Sequence, residues 1–97
     1  MDDADLLADV RRRFLERLVG DIGRVEVSLA AADADGVSGE VHRMAGTSGL
    51  VGLPELSSQA RELLQQIRNN GLDAEGRDLT ARFIEFVHTT IARHRSH

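Results

Sequence analysis

The chain has 97 residues and no cysteine, which predicts one small domain over residues 1–97 and excludes disulfides and thiolate metal sites. Its net charge of −4 and its three aromatic residues argue against a nucleic-acid-binding surface. Because no apolar run approaches the ~18 residues of a membrane span, and the acidic first residues do not resemble a signal peptide, we expect a cytoplasmic protein without a membrane contact.

The first predicted helix follows an apolar stripe with steps of three and four residues. Its members are Leu7, Val10, Phe14, Leu18, Ile22, Val25 and Leu29. Gly20 and Gly23 interrupt the stripe, and because glycine weakens a helix interior, we expect a kink or a break near Gly20. The basic run Arg11-Arg12-Arg13 is interpreted as a solvated face of this helix.

Three further helices follow, each bounded by residues that cap or end helices. The predicted spans are Asp33 to about Leu50 before Gly52, Pro54 to Asn70 before Gly71, and Asp73 onwards. Aspartate caps the first turn, proline fits it, and glycine ends a helix readily. No segment alternates like a strand. We therefore predict an all-α fold, an antiparallel up-down four-helix bundle with an additional or kinked N-terminal helix.

The second predicted helix carries His42 among residues that have almost no side chain. Its buried seam, at heptad spacing, is predicted to be Val37, Val41, Met44, Ser48 and Val51. At about 100° per residue, His42 lies roughly 150° from that seam and faces water. Gly39, Gly46 and Gly49 share this outer side, although each costs a helix about 1 kcal/mol relative to alanine. A bare surface around an imidazole suits docking by another protein, whereas a small-molecule pocket would be concave.

The residues around His42 form a spaced pattern. Gly46-Thr47-Ser48 follows within two turns, Gly52 comes ten residues after the histidine, and Leu56 comes fourteen after it. This pattern resembles the signature of histidine phosphotransfer (HPt) domains, roughly H-x-[LM]-K-G-[ST]-[SA] with the same later Gly and Leu. Further matching segments are Phe14-Leu15-Glu16, the Ala-Ala-Ala-Asp33 junction and Arg61-Glu62-Leu63, so the resemblance covers roughly residues 5–95.

The resemblance implies a phosphocarrier in a two-component phosphorelay rather than an enzyme. His42 would accept a phosphoryl group from the aspartate of a receiver domain and pass it to another response regulator. The partners would be response-regulator receiver domains, with a hybrid histidine kinase as a further candidate. The chain itself would need no cofactor or metal, because the receiver would supply the aspartate, Mg²⁺ and most of the catalytic groups.

One position departs from the family pattern. HPt domains usually have Lys, sometimes Arg, three residues after the histidine, where it is thought to help hold the phosphoryl group; this chain has Ala45. Leu64 also stands where the family often has Glu or Gln. The residues that we expect to contact the phosphoryl group or the partner are Arg43, Ala45, Gly46, Gly49 and Arg61. Leu50, Leu53 and Ile22 could form a docking rim or belong to the core.

Other interpretations start from different residues. Glu85 and His88 have the Glu-x-x-His spacing of di-iron bundles, but such sites need two of these motifs and further inward carboxylates. Ser48 lies on the predicted core seam, which argues against hydrolytic catalysis. The main alternative is a protein with the same fold that transfers no phosphoryl group. Ala45 is compatible with such an HPt-like adaptor, which binds a receiver or kinase domain.

Overall fold

The computed structural model describes residues 3–95, and the side chains from residue 5 onward. The helices are α1 (Asp3–Ala30), α2 (Ala34–Leu50), α3 (Pro54–Asn70) and α4 (Ala74–Arg95). Each packs against its neighbours in the chain, and α1 also packs against α4, which closes the bundle. Between residues 3 and 95 there is no strand. The predicted all-α, up-down four-helix bundle is confirmed.

The helix boundaries follow the capping and breaking residues that the sequence contains. Asp33 and Asp73 each accept a hydrogen bond from the amide three residues later, at 3.0 and 2.7 Å, which satisfies a first-turn donor. Pro54 begins α3. Gly52 and Gly71 have positive φ values of 78° and 66°, a conformation that glycine adopts without steric cost.

The first helix corrects the expectation of a break near Gly20. α1 is one continuous helix of 28 residues, and the part of the chain described here contains no additional N-terminal helix. Leu18, Ile22 and Val25 flank Gly20 and Gly23 and are buried. Helical stability in proteins comes mainly from packing of an apolar face, and this burial outweighs the low helix propensity of two glycines.

The beginning of the apolar stripe on α1 is exposed, which also differs from the prediction. Leu7 and Val10 are 39% and 43% exposed. The Arg11 guanidinium Nε donates to the Val51 carbonyl at 2.8 Å, so Arg11 lies level with the connection between α2 and α3. The two turns of α1 that precede Arg11 therefore extend past this end of the bundle, where neither α2 nor α3 can cover them.

The basic run on α1 has two different environments. Arg12 and Arg13 are exposed and form ion pairs with Asp9, as expected for a solvated face. Arg11 is half-buried, and its guanidinium holds the α2–α3 connection through Val51. The interpretation of the whole run as a solvated face is therefore wrong for Arg11.

We expect Arg11→Gln to lower the free energy of unfolding by about 1–2 kcal/mol, because a partly buried charge-assisted hydrogen bond to the Val51 carbonyl is lost. The matched control is Arg12→Gln, which removes the same group from an exposed ion pair and should cost less than about 1 kcal/mol. Urea unfolding of both variants measures the difference. Equal destabilisation by the two substitutions would contradict this role of Arg11.

None of the helices in the described part of the chain is long and apolar enough to cross a membrane. The core instead lies between the helices, and its largest buried side chains include Leu18, Ile22, Met44 and Leu56. These come from α1, α2 and α3, so the orientation of α2 around its axis is fixed by contacts on both sides. That orientation determines where His42 lies.

Candidate functional site

The histidine of α2 faces away from the core. The predicted seam of Val37, Val41, Met44, Ser48 and Val51 is buried, and His42 on the other side of the helix is exposed. Among the described residues, none forms a hydrogen bond or ion pair with the His42 ring. The imidazole is therefore held by the helix backbone alone, and its nitrogens are open to an approaching molecule.

The glycines beside His42 leave the surface of α2 bare. A Cβ atom placed on Gly39 or Gly46 would meet nothing within 4 Å, and one placed on Gly49 would be in ordinary contact with the Ser57 hydroxyl at 3.6 Å. Packing within the bundle therefore gives no reason for glycine at these positions. Because Gly46 follows His42 by one helical turn, its missing side chain keeps the space beside the ring open.

His42 lies between two clefts, a concavity that the sequence did not indicate. One cleft, of about 660 Å³, separates α1 from α2, and its polar lining includes Arg17, Asp21, Arg24, Arg43 and Thr47. The other, of about 350 Å³, separates α2 from α3 and is lined by Ala45, Arg61, Leu64, Gln65 and Arg68. His42 and Gly46 border both clefts. The imidazole thus stands on a ridge with arginines on either side.

Two of the three arginines that line the cleft on the α1 side are bound to carboxylates. Glu40 is only 9% exposed and accepts from Arg24 Nε at 3.2 Å and from the Arg43 guanidinium. Arg24 also forms an ion pair with Asp21. This network joins α1 to α2 at Glu40, two residues before His42, and leaves Arg43, a predicted contact residue, with a partner inside the protein.

The arginines on the α3 side have no such partner. Arg61 and Arg68 are exposed, and neither forms an ion pair with a carboxylate in the portion of the chain described. Arg61 was a candidate from the sequence, whereas Arg68 was missed. The sequence does contain a signal for Arg68, because it lies seven residues after Arg61, and residues seven apart on a helix are two turns apart and share a face.

A family model described as the Hpt domain matches residues 9–97 of the chain. The match includes His42, the exposed and unpartnered imidazole of α2, and it spans all four helices. The chain belongs to the Hpt domain family. No curated protein and no solved structure matches it. The resemblance inferred from the sequence is confirmed. Hpt domains serve histidine phosphotransfer in two-component signalling, and they are in general phosphocarrier modules rather than enzymes.

Ala45, which the sequence places among the expected contact residues, is buried. In this Hpt domain it is 4% exposed and packs against α3, where the Ser57 hydroxyl donates to its carbonyl at 3.0 Å. Its side chain borders the α2–α3 cleft but offers almost no surface. The burial gives no support to a direct contact between Ala45 and a partner, because the methyl group already packs inside the bundle.

The apolar candidates for a docking rim separate into surface and core. Leu50, at the end of α2, is 82% exposed and borders the α1–α2 cleft. Leu53 and Ile22 are buried in the core of the Hpt domain. Leu50 therefore leaves an exposed apolar side chain beside the cleft that His42 borders.

The residues of the two alternative sites have other roles in this Hpt domain. His88 Nε2 lies 3.0 Å from Glu26 Oε1 and links α4 to α1. Within residues 5–95, no group of three or more metal-ligating side chains comes together. The Ser48 hydroxyl is buried and donates to the Met44 carbonyl at 2.6 Å, so it is satisfied within its own helix.

Proposed function

We propose that this Hpt domain is a phosphorelay intermediate, in which His42 accepts a phosphoryl group from the aspartate of a receiver domain and passes it to another response regulator. The observation that carries the proposal is an exposed imidazole without an internal partner, on a ridge that Gly46 keeps bare. A structural histidine on a bundle surface gains nothing from neighbouring glycines, which weaken its helix.

The transfer needs only one nucleophilic atom from the chain. Neutral imidazole is a nucleophile near pH 7, and the Nε2 atom of His42, at the tip of the ring, attacks the phosphorus. An N–P bond forms while the P–O bond to the aspartate breaks, and the carboxylate leaves with the electron pair. The reverse exchange on a second receiver breaks the N–P bond and returns the electron pair to Nε2.

The partner supplies the remaining chemistry in this proposal. Phosphoryl transfer has a loose transition state, so catalysis is mainly positioning and neutralisation of the oxygens. We assign the aspartate, the Mg²⁺ ion and most of the catalytic groups to the receiver, and no cofactor to this chain. Transfer between such receivers would take place in the cytoplasm.

The surface around His42 is suited to a receiver that closes over the ring. Gly46 and Gly49 present no side chain, while Leu50 offers an apolar contact at the end of α2. Arg43 lies next to His42 and can contact the partner while Glu40 holds its guanidinium. Ala45 is buried and contributes by leaving the α2–α3 cleft open.

The experiment that tests the proposal is a two-step relay with purified receivers. A receiver phosphorylated with ³²P transfers label to the Hpt domain, and an unlabelled second receiver then removes it. We expect label on the Hpt domain that is labile in acid and stable in base, as expected for an N–P bond, and we expect its loss to coincide with labelling of the second receiver.

A second candidate function has one observation in its favour. The position three residues after His42 is a buried alanine rather than a cation, which suits an adaptor that binds a receiver without taking its phosphoryl group. Measurable binding to receivers of a broad panel, with no label transferred from any of them, would favour this adaptor and contradict the relay.

A further inference from the structure

We infer that Arg61 and Arg68 form a two-arginine clamp that holds the phosphoryl group on His42 from the α3 side of the cleft. The inference rests on the proposed function and assigns the cationic contacts that follow phosphorylation. Arg61, Arg68 and His42 border the same cleft of about 350 Å³. Arginine presents several N–H donors in a planar fork that matches phosphoryl oxygens.

The partners already present in the protein distinguish the two sides of His42. Arg24 and Arg43, on the α1 side, are bound to the buried carboxylate of Glu40. To contact a phosphoryl group they would have to weaken those bonds and leave a buried charge less well compensated. Arg61 and Arg68 have no carboxylate partner within the described residues, so binding an anion costs them no internal ion pair.

The register between α2 and α3 places Arg61 beside the ring. The hydrogen bond from the Ser57 hydroxyl to the Ala45 carbonyl shows the register in which these antiparallel helices pack. His42 lies three residues before Ala45 on α2, and Arg61 lies four residues after Ser57 on α3. The two are therefore about level, since both helices rise by the same 1.5 Å per residue.

Arg68 approaches the ring from the other end of the cleft. Its backbone lies seven residues, or roughly 10 Å, beyond Arg61 along α3. Side chains of a helix lean towards its N-terminus, so the long Arg68 side chain points back along α3 towards the level of His42. Arg17 borders the other cleft, which the ridge of His42 and Gly46 separates from Arg61 and Arg68.

Ala45 leaves the space in which the clamp can act. Its methyl group lies against α3, and Leu64 is the half-buried apolar wall between the two arginines. No bulky side chain from α2 separates His42 from α3 at this point. A phosphoryl group on the ring would therefore face guanidinium groups across an open cleft.

The clamp predicts a slower loss of the phosphoryl group to water. Hydrolysis proceeds through a loose, metaphosphate-like transition state, in which the phosphoryl oxygens carry less negative charge than in the bound dianion. The leaving group in this hydrolysis is the imidazole, so no charge develops on a leaving oxygen, as it does on the aspartate in transfer from a receiver. Cations that contact only the phosphoryl oxygens therefore stabilise the phosphorylated protein more than the transition state. Removal of the arginines should shorten the lifetime of phosphohistidine.

The test loads the protein with phosphoramidate, which needs no receiver. The imidazole takes the phosphoryl group while the P–N bond of the reagent breaks and ammonia leaves. The His42 signal is the ³¹P resonance that is absent from His42→Gln. In the double variant Arg61→Gln/Arg68→Gln, we expect this signal to decay roughly three- to tenfold faster than in the wild type. We also expect the pKa of the phosphoryl group to rise, because guanidinium groups favour the dianion.

Two further variants control for charge and for structure. Arg12→Gln/Arg17→Gln removes the same charge from exposed positions on α1 and should change the lifetime less than about twofold. Adding Ala45→Lys to the Arg61→Gln/Arg68→Gln background returns a cation to the cleft, on a flexible stem that can reach the surface, and should restore much of the lifetime. Thermal unfolding of each variant verifies that it is folded.

The outcomes separate this inference from the proposed function. Loading of His42 with the same lifetime in wild type and Arg61→Gln/Arg68→Gln would overturn the clamp alone. Equal shortening by Arg12→Gln/Arg17→Gln would also overturn it, since the effect would then be one of net charge. Failure of wild-type His42 to load at all would overturn the clamp together with the reactivity on which the relay depends.

Discussion

His42→Gln is expected to abolish acceptance of a phosphoryl group from a phosphorylated receiver, with labelling reduced at least ~100-fold. The amide nitrogen of glutamine is not a nucleophile, so no covalent intermediate can form. The free energy of unfolding should stay within about 0.5 kcal/mol of the wild type, because His42 is exposed and has no bonding partner among the described residues. Transfer of ³²P, measured beside urea unfolding, tests both parts.

His88→Gln is the matched control for this substitution. His88 is also an exposed histidine on a helix, but it pairs with Glu26 on the α1–α4 side of the bundle. We expect this variant to accept label at the wild-type rate. Full labelling of His42→Gln would show that another histidine is the acceptor, and loss of labelling in both variants would indicate an effect of histidine removal that is not specific to the site.

Gly46→Ala is expected to make the protein more stable and a poorer phosphoryl acceptor. The added Cβ meets nothing within 4 Å, so replacing a helical glycine should raise the free energy of unfolding by about 0.5–1 kcal/mol. The same methyl group stands beside the His42 ring, where a receiver must close. Because a misplacement of about 1 Å can cost as much as 10²-fold, we expect transfer to fall roughly tenfold, and further for Gly46→Gln.

Gly23→Ala is the control that separates an effect on stability from an effect on the receiver's access to His42. Gly23 is also in a helix interior, and a Cβ there also meets nothing within 4 Å. It precedes Glu26 by three residues and so shares the side of α1 that faces α4. We expect a similar gain in stability, measured by urea unfolding, with unchanged transfer. If Gly46→Gln transferred as fast as the wild type, the bare ridge would have no role in docking.

The helix boundaries could be predicted because the signals that set them are local. Asp33 and Asp73 cap amides three residues away, and Gly52 and Gly71 adopt positive φ values where the helices end. Each interaction involves neighbours in the chain and needs no knowledge of the fold. The break expected near Gly20 does not occur, since the burial that sustains the helix there comes from packing against other helices.

The outward direction of His42 was predictable because it, too, depends on local structure. Helical periodicity alone places His42 opposite the seam of α2, since both lie on one element with a known rotation per residue. The bond from Arg24 to Glu40 was not predictable, because it joins α1 to α2, whereas Arg43 and Glu40 lie three residues apart on α2. The shared cleft of His42 and Arg68 depends in the same way on how α3 packs.

The sequence by itself determined the four helices, their caps and the outward direction of His42, because short-range hydrogen bonds and the period of the helix fix them. Only the tertiary structure decided which cations can reach the imidazole. Glu40 holds Arg24 and Arg43, while Arg61 and Arg68 on α3 have no carboxylate partner within residues 5–95. The physical reason is that an ion pair between helices depends on their register and separation, which the packed core sets and no single segment contains.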